Sequence, residues 1–130
     1  MSLVYFRDQT QAFARLRLGG KDRKRFLHGV VSNDIQSLSP GQGCHAAMLT
    51  IKGKLVADLW AYDCGEAGLL LRTVGSAAAN LQAALERYLI MDDAVITDAG
   101  AELAELALFG EGAAALLSAA CGLTLSTSPL

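Results

Sequence analysis

From Ala12 to Leu18 the chain alternates. Phe13, Arg15 and Arg17 fall on one side, and Ala12, Ala14, Leu16 and Leu18 on the other. A period of two predicts a strand, and Gly19-Gly20 ends it. The period then changes. Phe26, Leu27, Val30 and Val31 form the stripe of a short helix, with Asp22 placed to cap its first turn. This helix is expected to fray near Ser32-Asn33-Asp34, and Ser39-Pro40-Gly41 reads as a turn. Cys44 to Ile51 and Leu55 to Tyr62 then predict a hairpin around Lys52-Gly53. Gly65 to Gly68 makes a turn, and Leu69 to Val74 a third strand of the same group. Leu81, Ala84, Leu85, Tyr88 and Leu89 recur at helical spacing, behind Ser76 as the expected N-cap. Ala94 to Thr97 and Leu103 to Phe109 read as short strands. Ala113 to Ala120 reads as a helix that Gly122 ends. The tail from Thr124 to Leu130 is expected to be loose.

The predicted order is β-α-β-β-β-α-β-β-α. Hairpins mixed with helices favour an α+β fold, with a largely antiparallel sheet and two or three packed helices, over a doubly wound parallel sheet. The 130 residues make one domain without an interdomain linker, and a new strand-helix unit starts near Leu103. With 52% hydrophobic residues and a mean hydropathy of +0.33, the chain can bury a core.

Charge narrows the partners. A net charge of −2 supplies no field for direct nucleic-acid binding. Arg15, Arg17, Lys21, Arg23, Lys24 and Arg25 do gather early. They read as a solvated strand face and helix start, with an anion or RNA contact as the alternative. Cys44, Cys64 and Cys121 have neither disulfide-framework nor metal-site spacing, which fits a reducing, cytoplasmic setting. No signal peptide and no membrane span of about 20 apolar residues is expected.

Asp58 is the foremost candidate for chemistry. It interrupts an apolar strand, and a buried carboxylate requires a partner. It shares a predicted face with Val56, Trp60 and Tyr62. A carboxylate beside aromatic rings suits a flat ligand that stacks and hydrogen-bonds, whereas the simpler alternative is a solvated strand position. Ser32-Asn33-Asp34 either positions a ligand or ends the helix through local backbone bonds. His28 reads as a helix-end histidine. Cys44 and His45 are neighbours on a strand and so point to opposite faces, against a catalytic pair. The glycines lack the spacing of a phosphate loop. Asp92, Asp93 and Asp98 lack the ligand density of a calcium loop.

Several segments, taken in order, resemble the N-terminal part of the folate-binding YgfZ proteins, relatives of the glycine-cleavage T-protein (aminomethyltransferase). They are Arg15 to Arg23, Phe26-Leu27-His28-Gly29, Val31 to Ile35, Thr50 to Lys54 with Asp58-Leu59, Leu85 to Ile90 ahead of Asp93-Ala94-Val95, and Leu106 to Gly110. The resemblance implies a folate-binding α+β domain built from two similar halves that exchange their first strands. Residues 1–130 would be a single partial domain, the first half of the duplicated T-protein/YgfZ domain. The second half-repeat would begin at about 101–130.

The resemblance also implies tetrahydrofolate or a derivative as cofactor. Phe13 would stack on its ring, Asp58 would accept hydrogen bonds, Lys52 or Lys54 would attract the glutamate tail, and Asn33 would join the cofactor site. The T-protein hairpin carries two consecutive acids, the first of them catalytic. That position is Ala57 here, and a methyl group cannot stabilise developing charge. No catalytic residue is therefore expected in this chain. The Lys52-Gly53-Lys54 turn resembles YgfZ, whose relatives maintain iron-sulfur enzymes and act in tRNA modification. A Lys-Gly-Cys-Tyr-x-Gly-Gln-Glu motif of those proteins has no counterpart among these residues. Expected partners are folate and iron-sulfur client proteins, with a homodimer as the way to complete the half-domain. Aminomethyl transfer is the competing function.

Overall fold

The computed structural model describes residues 3–125. Its elements in chain order are β1 (Tyr5–Asp8), β2 (Phe13–Gly19), α1 (Arg23–Val30), β3 (Gly43–Leu49), β4 (Leu55–Asp63), β5 (Leu69–Val74), α2 (Ala78–Tyr88), β6 (Val95–Asp98), β7 (Leu106–Phe109) and α3 (Ala113–Cys121). Short 3-10 turns at Gly65–Ala67 and Gly75–Ala77 flank β5. β3-β4-β5-β2-β6 form a five-stranded sheet in that order, and β1 pairs with β7 in a second. All these ladders are antiparallel. The fold is α+β, as the hydrophobic pattern predicts.

Alternation gives the large sheet two faces. On one, Leu16, Leu18, Leu59, Leu69 and Leu71 are buried with Ala46, Ala57 and Ala61. Helices α1 and α2 cover this face with Phe26, Leu27, Leu81 and Leu85. Burying each leucine contributes roughly 1.5–3 kcal/mol. The other face carries His45, Asp58, Trp60, Tyr62 and Arg72. Among the described residues neither α1 nor α2 packs on it through its buried residues, and it is where the candidate chemistry lies.

Gly20 explains the break after β2. Its φ is +101°, and a Cβ there would sit 2.2 Å from the Asp93 carbonyl oxygen. Without one, the chain ahead of β6 approaches closely, and the Asp22 N–H donates to Asp93 O at 3.0 Å.

Four local expectations are corrected. Asp22 makes no cap bond with its side chain. Its Oδ2 accepts the Asp93 N–H at 2.8 Å, so a tertiary contact takes the carboxylate from the helix end. Ser76 lies within the 3-10 turn, and Ala77, with no cap bond, precedes α2. The strand expected from Leu103 starts at Leu106. β1 is an additional strand, paired Tyr5↔Phe109 through Asp8↔Leu106. The tail expected to be loose lies mostly outside the described residues.

Lys24 and Asp63 join α1 to the end of β4. Lys24 Nζ lies 2.7 Å from Asp63 Oδ2 and donates to Leu38 O at 2.6 Å. The Lys24 bond holds the buried Asp63 carboxyl below the usual carboxylate range, against the opposing effect of burial, and the Gly65 N–H assists. Its folded-state pKa is lowered. The stabilisation is therefore full above the unfolded value near 4 and is lost as pH falls through the folded-state value. Lys24→Met is expected to cost about 1–3 kcal/mol at neutral pH. In urea titrations its difference from the parent should shrink below about pH 4. A difference unchanged by acid would show that the pair does not set it.

Candidate functional site

The hairpin register builds the site. His45 lies opposite Trp60 on β4, Trp60 opposite Arg72 on β5, and Arg72 opposite Arg15 on β2. One row of side chains thus crosses four strands. In the next row Ala47 faces Asp58, and Phe13 faces Val74.

These side chains pack on one another. Arg72 Cζ lies 3.5 Å from the Phe13 ring centroid and 4.8 Å from that of Trp60. Phe13 meets Trp60 edge to face at 6.3 Å, and His45 stacks on Trp60 at 4.8 Å. Cation–π and aromatic contacts of this kind add about 0.5–2 kcal/mol each. Glu105 fixes the guanidinium. Arg72 Nε and Nη2 donate to Glu105 Oε1 and Oε2, both at 2.8 Å, and Nη2 reaches Gln9 Oε1 at 3.2 Å. The Gln9 N–H donates to Glu105 O at 2.8 Å, which fastens the chain ahead of β7 to that ahead of β2.

Arg15 is buried rather than solvated. Its Nη1 and Nη2 donate to Phe13 O and Thr10 O at 3.1 and 3.2 Å, and Nη1 lies 3.8 Å from Glu105 Oε1. Its Nε is buried without a partner. Arg15, Arg72, Tyr62, Gln9 and Glu105 line a concavity of about 430 Å³ that the Leu103 to Ala107 segment closes on one side. That volume lies within the usual range for small-molecule sites. Two guanidiniums outnumber one carboxylate, so the concavity favours an anionic group. Burial pushes the Tyr62 phenol up, so at neutral pH it remains a hydrogen-bond donor.

The sequence candidates divide among three places. Phe13 and Asp58 share the open face. Asp58 is half exposed, with Oδ1 3.4 Å from His45 Nε2, and so joins the aromatic row through His45. Lys52 and Lys54 are not brought to this face; they line a different concavity, beside α2. Asn33 is engaged by the chain itself: Nδ2 donates to His45 O at 2.9 Å, and Oδ1 accepts the Asp34 N–H at 2.7 Å. The five residues therefore do not form one site. Ala57 is 4% exposed and points into the core, opposite in direction to Asp58.

Other groups are committed to structure. His28 Nδ1 accepts the Ile35 N–H at 3.2 Å, which holds the loop after α1. Asp92 pairs with Arg25 at 2.8 Å, and Asp98 accepts the Gly100 N–H at 2.7 Å. Burial raises the Cys44 thiol, with Asp34 adding to the shift, and this disfavours a reactive thiolate. Among the described residues no cluster of three or more His, Cys, Asp or Glu could hold a metal, and no helix is long and apolar enough to cross a membrane.

Arg72, Glu105 and Gln9 are the members that the sequence reading missed, and Arg15 reads there as solvated, with an anion contact as the alternative. Arg72 had a signal: it interrupts the apolar run Leu69-Leu70-Leu71, much as Asp58 interrupts β4. Glu105 had none, because a loop carries it back across the sheet.

The architecture is that of an α+β domain with one helix-covered sheet face and one polar-aromatic face. The chain belongs to the GCVT N-terminal domain family, whose model matches residues 6–129. It is 31% identical over 121 residues to an aminomethyltransferase of Synechococcus sp. (strain CC9311), covering 88% of this chain and 33% of that protein. It is 34% identical over 120 residues to an aminomethyltransferase of Parasynechococcus marenigrum (strain WH8102), covering 88% and 32%. The chain thus spans about a third of the length of these curated relatives. The fold is similar to the crystal structure of the glycine cleavage system aminomethyltransferase T from Bartonella henselae. The TM-score is 0.76 at 22% identity, over 93% of this chain and 32% of that one.

Proposed function

We propose that this chain is the tetrahydrofolate-binding part of a YgfZ-like protein that acts in iron-sulfur enzyme maintenance or tRNA modification and does not itself transfer aminomethyl groups. The observation that carries the proposal is the Phe13–Trp60–Arg72 cluster beside Asp58, together with a methyl group at Ala57. A flat heterocycle suits the rings, with the Asp58 carboxylate accepting its amine hydrogens. A carboxylate tail suits the concavity that Arg15 and Arg72 line, a better-placed pair of cations than Lys52 and Lys54. The three cysteines are free, in keeping with a cytoplasmic protein.

Titration calorimetry with tetrahydrofolate and its formyl derivative tests the proposal. Binding is expected, and Phe13→Ala should weaken it about tenfold. No heat from a folded sample up to about 1 mM ligand would sink it. Aminomethyl transfer is the second reading, favoured by the names of the curated relatives. Ala57 opposes it, and clear turnover with glycine and lipoyl carrier protein would overturn the non-catalytic assignment.

We also read residues 101–130 as the start of a second half-repeat. Leu106-Ala107-Leu108 before Gly110 (φ +120°) and α3 repeats Leu16-Arg17-Leu18 before Gly20 (φ +101°) and α1. No residue of α3 is buried, so its face would be the seat of a homodimer. Light scattering that reports only monomer at high concentration would remove the dimer.

A further inference from the structure

Ile51 is 94% exposed at the tip of the β3–β4 hairpin, and Leu49, Leu55 and Tyr88 are exposed nearby. Between the tip and α2 runs a groove of about 500 Å³. One wall is the hairpin, with Leu49, Ile51 and Val56. The other is a single face of α2: Asn80, Ala83, Ala84, Arg87 and Tyr88 follow at i, i+3, i+4, i+7 and i+8. This face adjoins the Leu81–Leu85 edge that enters the core, and Ala84 packs partly against that core while Ala83 is exposed. The face extends for about two turns, roughly 12 Å. Its two central alanines let another backbone come close.

Charge says what fits. Lys52, Lys54 and Arg87 line the groove, and no carboxylate does. Arg15, Arg17, Lys24, Arg25 and Arg72 each have a carboxylate within ion-pair reach, whereas the three groove cations, like the scattered Arg7, Lys21 and Arg23, have none among the described residues. An apolar groove rimmed only by unpaired cations is complementary to an amphipathic segment bearing acids. A second copy of this chain does not supply one. α1 is basic, α3 carries no charge, and α2 has one acid followed by an arginine. We propose that the groove docks an acidic amphipathic helix of a partner protein, its apolar side chains against Ala83, Ala84 and Tyr88 and its carboxylates toward Lys52, Lys54 and Arg87. This is helix-in-groove recognition. It goes beyond the folate proposal and does not depend on it.

The probe is a fluorescein-labelled peptide of about 15 residues, with leucines at i, i+3, i+4 and i+7 and glutamates between them. Fluorescence anisotropy should report a Kd of about 10–100 µM at low salt, weakening as salt is added. Reversing Lys52, Lys54 and Arg87 together to Glu should weaken binding about tenfold or more. Ala83→Trp, which fills an exposed part of the groove, should do likewise without altering the circular dichroism spectrum. Arg7→Glu with Lys21→Glu, which reverses two free cations outside the groove, should leave the affinity unchanged. The proposal is overturned by no binding up to about 1 mM, or by equal affinity in the charge-reversed groove variant. It is also overturned by equal loss in the Arg7/Lys21 control, by equal binding of a lysine version of the peptide, or by tighter binding to phosphatidylserine vesicles.

Discussion

Leu59→Ala should remove about 3–5 kcal/mol of stability, the upper part of the range for a buried leucine. Leu59 is fully buried at the centre of β4, opposite Ala46 on β3. Its neighbours along the buried face of its own strand are Ala57 and Ala61. Alanines have no side-chain freedom with which to fill a void, so relaxation around the missing atoms is small. The cost is large beside the 5–15 kcal/mol that holds a typical domain together. Urea denaturation measures it: the midpoint should fall while the slope stays constant. Leu55→Ala, at a position 58% exposed on the same strand, should cost well under about 1 kcal/mol. Similar losses at both positions would refute the assignment of this alanine-rich face as the core.

The alternation of buried Leu59 and Ala61 with the outward Asp58 and Trp60 also shows which parts of the fold were legible in the sequence. Alternation needs only a strand and two unlike environments, so β2, β4 and β5 could be read directly. Leu69–Val74 was predicted with its observed bounds. Three of the failures, at β1, Asp22 and Arg15, have a shared cause: each depends on a partner remote in sequence. β1 is four exposed residues whose pattern carries no alternation, and it exists because β7, about a hundred residues later, pairs with it. Asp22 had the right type and position for a cap, but the Asp93 N–H claimed its carboxylate. Arg15 alternates as a solvent-facing residue should. The chain segments around Thr10 and Glu105 fold over it, and backbone carbonyls replace water as its acceptors.

The same limit governs the candidate site. The side-chain period of β4 put Asp58, Trp60 and Tyr62 on one face, and the hairpin sets His45 opposite Trp60. Phe13 and Arg72 join only through the order β4-β5-β2, which no local pattern encodes. The lysines show the converse. They are a few residues from Asp58 in sequence, yet a register shift between Met48 and Leu49 and the turn at Thr50 to Lys54 lead the tip toward α2. The direction of the tip therefore separates Lys52 and Lys54 from Asp58, with which the resemblance groups them. Facing direction, which alternates at each residue, separates Ala57 from Asp58 by the full thickness of the sheet.

Arg72→Leu is expected to have the largest effect on the open face, at about 2–4 kcal/mol of stability, because it leaves Glu105 without its main partner. The Glu105 side chain is 18% exposed, and among the described residues the only other cation within ion-pair reach is Arg15, at 3.8 Å. A carboxylate so placed loses two bonds of 2.8 Å and recovers little water. Phe13 and Trp60 lose the cation they share, which adds to the cost. The double variant Arg72→Leu with Glu105→Leu should recover part of the loss: no buried carboxylate then lacks a partner, while the buried Arg15 keeps the Phe13 and Thr10 carbonyls but loses its ion-pair partner. Arg72→Lys should not recover it: an ammonium restores charge without the planar two-pronged contact or the stacking. Thermal or urea unfolding of the four proteins in the cycle gives the coupling energy. Near-additive losses would show that the pair is not coupled. Folate affinity separates structure from binding. If Arg72 contacts the ligand, the refolded double variant stays weak in calorimetry although its stability has partly returned. If Arg72 only positions the open face, affinity returns with stability.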